Sequence, residues 1–276
     1  QELSVSQVDR AHVLIRTSDG KLHVCGNNNL GQLGLGDTVQ RNILTTVSGK
    51  TVTAVQACGL FDGATYQNWS QIILTSGSLQ SAGGNVNGQL GNNTTTDSNT
   101  FINTTLNHTN VVTLVRNVGG YTTSGYITSA GILWLCGHNA VGTLGNGSTT
   151  QSNVYVQPSG SFQGFVSKAI IAGTQAIGTC VLMTTSGLGE VWATGGNSSG
   201  QCGDGSTTTR TTFGRVPMPE LIADISAAAT SILLVASCFY ALSASGRVYS
   251  WGANVSGQAG QGHLQAVYVP NEVLIR

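Results

Sequence analysis

Charged side chains are scarce in this sequence of 276 residues: Asp, Glu, Lys and Arg make up 8%, against about a quarter in ordinary soluble domains. The 11 basic and 11 acidic residues cancel. So thin a balance leaves no basic stripe to neutralise phosphates, which excludes the usual electrostatics of nucleic-acid binding. It also leaves no polybasic segment for an anionic lipid surface. No apolar run approaches the ~18 residues of a membrane-crossing helix. The chain opens on Gln1 with no signal-type apolar stretch, as expected of a processed product or a segment cut from something larger. The six cysteines form no Cys-x-x-Cys pair, so they are read as small buried hydrophobes rather than as metal ligands or disulfides.

Glycine is abundant instead, at 38 residues, together with Ser, Thr and Asn, and hydrophobic residues reach 40%. That is enough for a sizeable core. The apolar residues come in short runs that recur regularly, so the composition does not read as disorder.

The recurrence is a true repeat. A block x-Gly-x-Asn-x-x-Gly-(Gln)-x-Gly occurs at residues 25–34, 82–91, 136–145, 194–203 and 251–260. Its asparagines, Asn28, Asn85, Asn139, Asn197 and Asn254, are spaced by 57, 54, 58 and 57 residues. Gly31, Gly88, Gly142, Gly200 and Gly257 follow them three residues later. Glycine permits a left-handed or close-approach backbone and Asn can bond a turn, so the block reads as a structural corner. It is not a phosphate loop, because no Lys-Ser/Thr pair completes it. Each corner follows a strand pattern opened by Gly, as in Gly20-Lys-Leu-His-Val-Cys25, and a second strand precedes that Gly, as in Val13–Thr17. Both faces of these strands are apolar or small, which predicts sheets sandwiched between neighbouring sheets.

Units of this size with three or four short strands cannot bury both faces alone and must stack, and radial stacking gives a propeller. The expectation is one all-β domain over residues 1–276, a five-bladed β-propeller. The last unit lacks a following strand and the chain opens with one, Leu3–Val8, so the N-terminal strand is expected to complete the last blade and close the ring.

The pattern resembles the regulator of chromosome condensation repeat, in a divergent form of phage or bacterial type. The resemblance spans essentially the whole chain and is best at Gly31-Gln-Leu-Gly-Leu-Gly-Asp37; His12 falls at the family's His, and only Trp251-Gly252 keeps its Trp-Gly pair. It departs in supplying five units where members usually have seven. The functions it implies are plural: exchange on a small GTPase, ultraviolet-B perception, β-lactamase inhibition, ubiquitin-ligase domains. The photoreceptor needs clustered Trp interleaved with Arg and the exchange factor a charged face; neither pattern is present here.

For chemistry the sequence offers little. The five histidines are scattered without metal-ligand spacing and the acids are isolated. No catalytic, cofactor-binding or metal-ligating residue is assigned, and no cofactor is expected. Eight Asn-x-Ser/Thr matches, two of them at Asn197 and Asn254, reflect composition. Binding candidates are the segments that interrupt the repeat: Phe61, Tyr66 and Trp69 in a long aromatic stretch, and Phe101 in a long polar one. The expected function is therefore a non-enzymatic structural or binding propeller. Composition points to a virion component, capsid-decorating or tail-attached, located on a virion or outside the cell. Its partners would be other virion proteins or a host-surface molecule, with no nucleic acid and no membrane insertion. The alternatives are a secreted bacterial inhibitor or adhesin and, third, an exchange-type regulator.

Overall fold

Tight turns built on glycine organise the chain. Gly20 takes φ +78° and its N–H donates to Thr17 O at 3.0 Å, folding one apolar strand back on the next. The computed structural model describes residues 1–6, 11–61, 66–119, 121–159, 165–174, 177–184, 189–229 and 237–273. Among these there are twenty strands and no helix.

The strands pair as consecutive four-stranded antiparallel units. The first holds β1 (Glu2–Val5), β2 (His12–Arg16), β3 (Lys21–Gly26) and the first half of β4 (Arg41–Phe61). β4 then leaves β3 at Thr51 and joins the second unit at Val52, beside β5 (Tyr66–Leu74), β6 (Leu79–Gly83) and β7 (Ser98–Asn103). The third unit is β8 (Val111–Leu114), β10 (Thr123–Thr128), β11 (Leu133–Gly137) and β12 (Ser152–Val156). Between them β9 (Arg116–Val118) crosses to run parallel to β13 (Val166–Thr174) of the fourth unit. That unit continues through β14 (Ile177–Thr184), β15 (Val191–Gly195) and β16 (Arg210–Arg215). The fifth is β17 (Ile222–Ala229), β18 (Ser237–Ser243), β19 (Val248–Gly252) and β20 (Val267–Glu272). This is a β-propeller architecture, as the repeat predicts.

The core lies between units rather than inside them. Leu14, Leu22 and Val24 of the first unit meet Val55, Ile72 and Ala82 of the second. Ile73 and Leu79 then meet Tyr126, Cys136 and Tyr155. Leu133 and Leu135 meet Cys180, Leu182 and Phe213, and Val181, Val191 and Ala193 meet Phe239, Ala241 and Trp251. A Leu, Ile or Phe so enclosed contributes about 1.5–3 kcal/mol relative to exposure. Since each sheet packs on both sides, β6 and β10 are buried along their whole length. This explains why their sequences do not alternate.

The expected closure by the N-terminal strand does not hold. β1 lies on β2, with Leu3 opposite Ile15 and Val5 opposite Val13, and the fifth unit draws all four strands from residues 222–272. The spacing of the corners counts the units but does not say where within a repeat one sheet ends. Pairing β1 with the strand that follows it closes a short loop, at a smaller entropic cost than reaching across a ring. Among the described residues no core cluster joins the fifth unit to the first.

Candidate binding surface

Each corner is held by one wholly buried asparagine. Asn28 Oδ1 accepts Leu33 N–H at 2.9 Å, while its Nδ2 donates to Asp37 O at 2.9 Å and Val39 O at 3.2 Å. Asn85 repeats the pattern with Leu90, Thr94 and Thr96, and Asn139 with Leu144, Ser148 and Thr150. Asn197 does so with Cys202, Ser206 and Thr208. Asn254 keeps Ala259 and His263. An amide is suited to this because it accepts and donates at once. Being buried, Asn197 and Asn254 serve the chain and not a glycan.

Beyond these anchors the loop tips are exposed: Thr38–Gln40, 93–97, 149–151, 207–209 and 262–265. They carry Thr, Asn, Gln and Gly, with Asp97 their one acid and Val39 and Leu264 their exposed apolar residues. Asp37 and Asp204 are turned inward on Arg41 and Arg210, each at 2.6 Å. The Arg41 guanidinium holds the Asp37 carboxyl below its usual range. A groove of about 320 Å³ runs between the first two corners, lined by Asn29, Leu30, Thr38, Asp97, Ser98 and Asn99. Because the tips are ordered before any partner arrives, binding costs less ordering entropy.

A second cavity, of about 340 Å³, opens between the inner strands and includes Glu2, Ser4, Gln56, Arg116 and Asn117 in its lining. Its polar groups are engaged in tying strands together. Glu2 accepts Val55 N–H at 3.2 Å, Ser4 Oγ accepts Ala57 N–H at 2.9 Å, and Gln56 Nε2 donates to Val115 O at 3.0 Å. Arg116 is exposed there and forms no ion pair among the described residues.

The aromatic candidates fall differently from expectation. Trp69 is wholly buried, packed with Cys58 and Leu90, and Phe101 is 6% exposed beneath Gly34. Both are core, so neither of these two binding candidates offers its ring at the surface. Their positions lie on strands β5 and β7, not on loops. The backbone of Phe61 pairs with that of Tyr66 at the end of the β4–β5 hairpin, and their side chains lie outside the described residues. What the sequence reading missed is the set of exposed apolar residues on the first unit, Leu3, Val5, Ile43 and Leu44. They fit no motif; comparison with the same positions in sister repeats would have found them.

The titratable groups are structural. His12 is buried, with Nε2 2.9 Å from Ser70 Oγ, and burial lowers its pKa to about 3. His108 Nδ1 lies 2.6 Å from Tyr126 Oη, and His138 Nδ1 2.9 Å from Tyr121 Oη. All six cysteines are free; burial pushes Cys58, Cys136 and Cys202 up to about 12. Among the described residues no three His, Cys, Asp or Glu converge as metal ligands would.

Comparison with known proteins gives three results. The sequence profile described as "Regulator of chromosome condensation (RCC1) repeat" matches residues 19–59 and 245–275. The mouse (Mus musculus) X-linked retinitis pigmentosa GTPase regulator is 33% identical over 136 residues, which are 49% of this chain and 13% of that protein. Its Caenorhabditis elegans homolog is 30% identical over 136 residues, 49% of this chain and 9% of that protein. The chain thus spans a small part of the curated relatives it matches. In structure, human WBSCR16 superposes with TM-score 0.74 at 23% identity, over 100% of this chain and 68% of that one. Yeast RCC1 (Prp20), solved with Kap60, gives 0.73 at 16% identity, over 98% and 63%. Prp20p from Saccharomyces cerevisiae, whose binding to Gsp1p and histones was studied with its structure, gives 0.71 at 13% identity, over 96% and 61%.

Proposed function

Since the chain is a divergent member of the regulator of chromosome condensation repeat family, we propose that it is a non-catalytic, protein-binding propeller that meets its partner through the corner-loop face. The observation that carries this is the fivefold asparagine anchor, which presents exposed, mostly uncharged tips on one end of the sheets in fixed positions. Ser, Thr and Asn tips provide adaptable hydrogen bonding, and rigid loops on a scaffold are where binding concentrates.

A second reading, regulation of a small GTPase, is favoured by the identity to GTPase regulators over half of the chain. The two readings part on nucleotide release. Gsp1p loaded with a fluorescent nucleotide is mixed with the chain and its release rate followed. An unchanged rate is expected of a binding module. Acceleration of at least tenfold, lost in Thr149→Lys and Thr207→Lys on the loop face but kept in Ser76→Lys at the opposite end, would make the chain a regulator instead.

The finer reading, a virion component or extracellular docking protein, rests on composition: the scarcity of charge, the Ser/Thr/Asn/Gly-rich loops and the degenerate repeat. Antibody labelling of purified particles tests it, and particles free of the chain would remove it.

A further inference from the structure

The junction of the second and third units is filled differently from the other three. Among the described residues, the first, third and fourth junctions are each packed by one continuous apolar cluster. Across the second the apolar packing falls into two separate patches. Ile73 and Leu79 meet Tyr126, Cys136 and Tyr155, and Cys58 meets Trp69 and Leu90. Polar side chains stand between the patches. Along β5 the residues facing the third unit run Trp69, Gln71, Ile73, and on β6 Ser81 lies opposite Gln71. The same two positions in the first unit are Leu14 and Val24, which are apolar and enclosed. Gln71 Nε2 donates to Tyr155 Oη at 2.8 Å, but its Oε1 has no protein partner. Ser81 Oγ, Trp69 Nε1 and Gln89 Nε2 are likewise buried and unpaired. At the other junctions such atoms are scattered, as with His12 Nδ1, Thr184 Oγ1 and Gln201 Nε2. A buried donor or acceptor without a partner opposes the closed arrangement and is relieved when water reaches it.

Hydrogen bonds do most of the joining there. Gln56 Nε2 donates to Val115 O at 3.0 Å, Asn87 Nδ2 to Thr122 Oγ1 at 2.7 Å, Asn93 N–H to Asn153 O at 2.8 Å, and Ser124 Oγ to Gln89 O. Water takes over such bonds at little net cost when sheets part, whereas apolar surface resists exposure. The backbone ties are also weakest here. β4 itself spans the first junction and the β9–β13 ladder the third, but among the described residues no strand or ladder spans the second. The fourth lacks a shared strand too, yet Val181, Phe239, Ala241 and Trp251 fill it with apolar bulk. The chain crosses the second junction in the irregular segment 104–110, where Asn107 takes φ +47°.

We propose that the second junction is an opening joint, at which β1–β7 move as one body against β8–β20 about the 104–110 segment while both bodies stay folded. The polar seam makes the opening cheap, and the short irregular connection absorbs the change in backbone angles. The motion has a place to act. The cavity of about 340 Å³ takes Glu2, Ser4 and Gln56 from one body and Arg116 and Asn117 from the other, so the joint sets its width. The Gln56 bond to Val115 O, beside that cavity, ties the two bodies together when the joint is closed.

The buried cysteines report on the joint, junction by junction. Cys58 and Cys136 line the second, Cys180 the third, and Cys202 and Cys238 the fourth. The native chain is held in excess N-ethylmaleimide, and the initial labelling of each cysteine is followed by peptide mass spectrometry. Cys58 and Cys136 are expected to label at one common rate, about tenfold or more above that of Cys180, Cys202 and Cys238. Their rate should also depend less steeply on urea, because parting one junction exposes less surface than unfolding does. Labelling of all five at one rate would mean that the junction parts only when the whole chain unfolds. A faster rate at Cys180, or at Cys202 and Cys238, would put the joint elsewhere. Either result overturns the proposal. Ser81→Ala removes an unpaired hydroxyl and adds no volume, so it is expected to slow Cys58 and Cys136 about fivefold or more. Unchanged or faster labelling in a folded Ser81→Ala chain would also overturn it. Should that variant not fold, the parent's five rates and their urea dependence decide.

Discussion

His12 Nε2 lies 2.9 Å from Ser70 Oγ across the junction of the first two units, both side chains wholly buried. Ser70 Oγ in turn donates to Gln32 O at 2.7 Å, in the corner of the first unit. One imidazole thus joins a strand, a neighbouring sheet and a corner.

Burial lowers the His12 pKa from 6.5 to about 3, so the folded state takes up its proton later than the unfolded one. Stability is then complete above pH 6.5 and falls as pH drops towards 3, by about 1.4 kcal/mol per pH unit from this group. His138, also lowered by burial, adds a slope of the same sign. Urea denaturation at pH 7.0 and 5.5, where carboxylates stay ionised, is expected to show the loss, and His12→Gln to remove most of it. An equal slope in both proteins would refute the assignment.

Replacing Asn197 by Ala strands the Cys202 N–H and the carbonyls of Ser206 and Thr208. The Cys202 N–H is buried and left unsatisfied, whereas the carbonyls of half-buried Ser206 and exposed Thr208 can turn to water, so a loss of about 1–3 kcal/mol is expected in chemical denaturation. A change below about 1 kcal/mol would mean that water replaces the amide and that the corner is not anchored by it.

Trp69→Ala removes the largest side chain from the cluster with Cys58 and Leu90. The expected cost is about 3–5 kcal/mol, read as a lowered melting temperature whether or not a partner is present. If the variant melted like the parent and only binding changed, Trp69 would be a surface anchor after all.

Gly31 and Gly257 hold the same corner position at φ +81° and +74°. Alanine meets the same left-handed strain of about 1–2 kcal/mol at both. Only at Gly31 does it also run into Asn99 of the next sheet, which adds about 1–3 kcal/mol. Gly31→Ala should therefore be the more damaging of the two in thermal unfolding. Equal effects would show that the fifth corner is covered.

Much of the architecture was legible from the corners. Asn and Gly at fixed offsets have few alternative uses, and five evenly spaced copies set the number of stacked units. The boundary of each sheet was not legible, because Leu3–Val5 suits an inner strand in either the first or the last unit and only hydrogen-bond pairing separates the two. Trp69 misled because it closes a stretch with Phe61 and Tyr66 that is longer than its counterparts. Aligned by register it shares a strand position with His12, Thr123, Thr179 and Cys238, all buried. The binding surface was legible only as composition: the Ser/Thr/Asn tips were visible, but not the asparagine bonds that fix them.

β4 passes from the outer edge of the first sheet to the inner edge of the second as a single strand of 21 residues, kinked at Gly49 where φ is +71°. Among the described residues the second and fourth junctions are crossed by connecting segments at 104–110 and 216–221, and the third is bridged by β9 pairing with β13. The first two sheets therefore share one strand across their junction. The first junction is thus spanned by one strand and the third by the β9–β13 pair, so a change in the curvature of the stack disturbs the fewest ladder hydrogen bonds at the second and fourth.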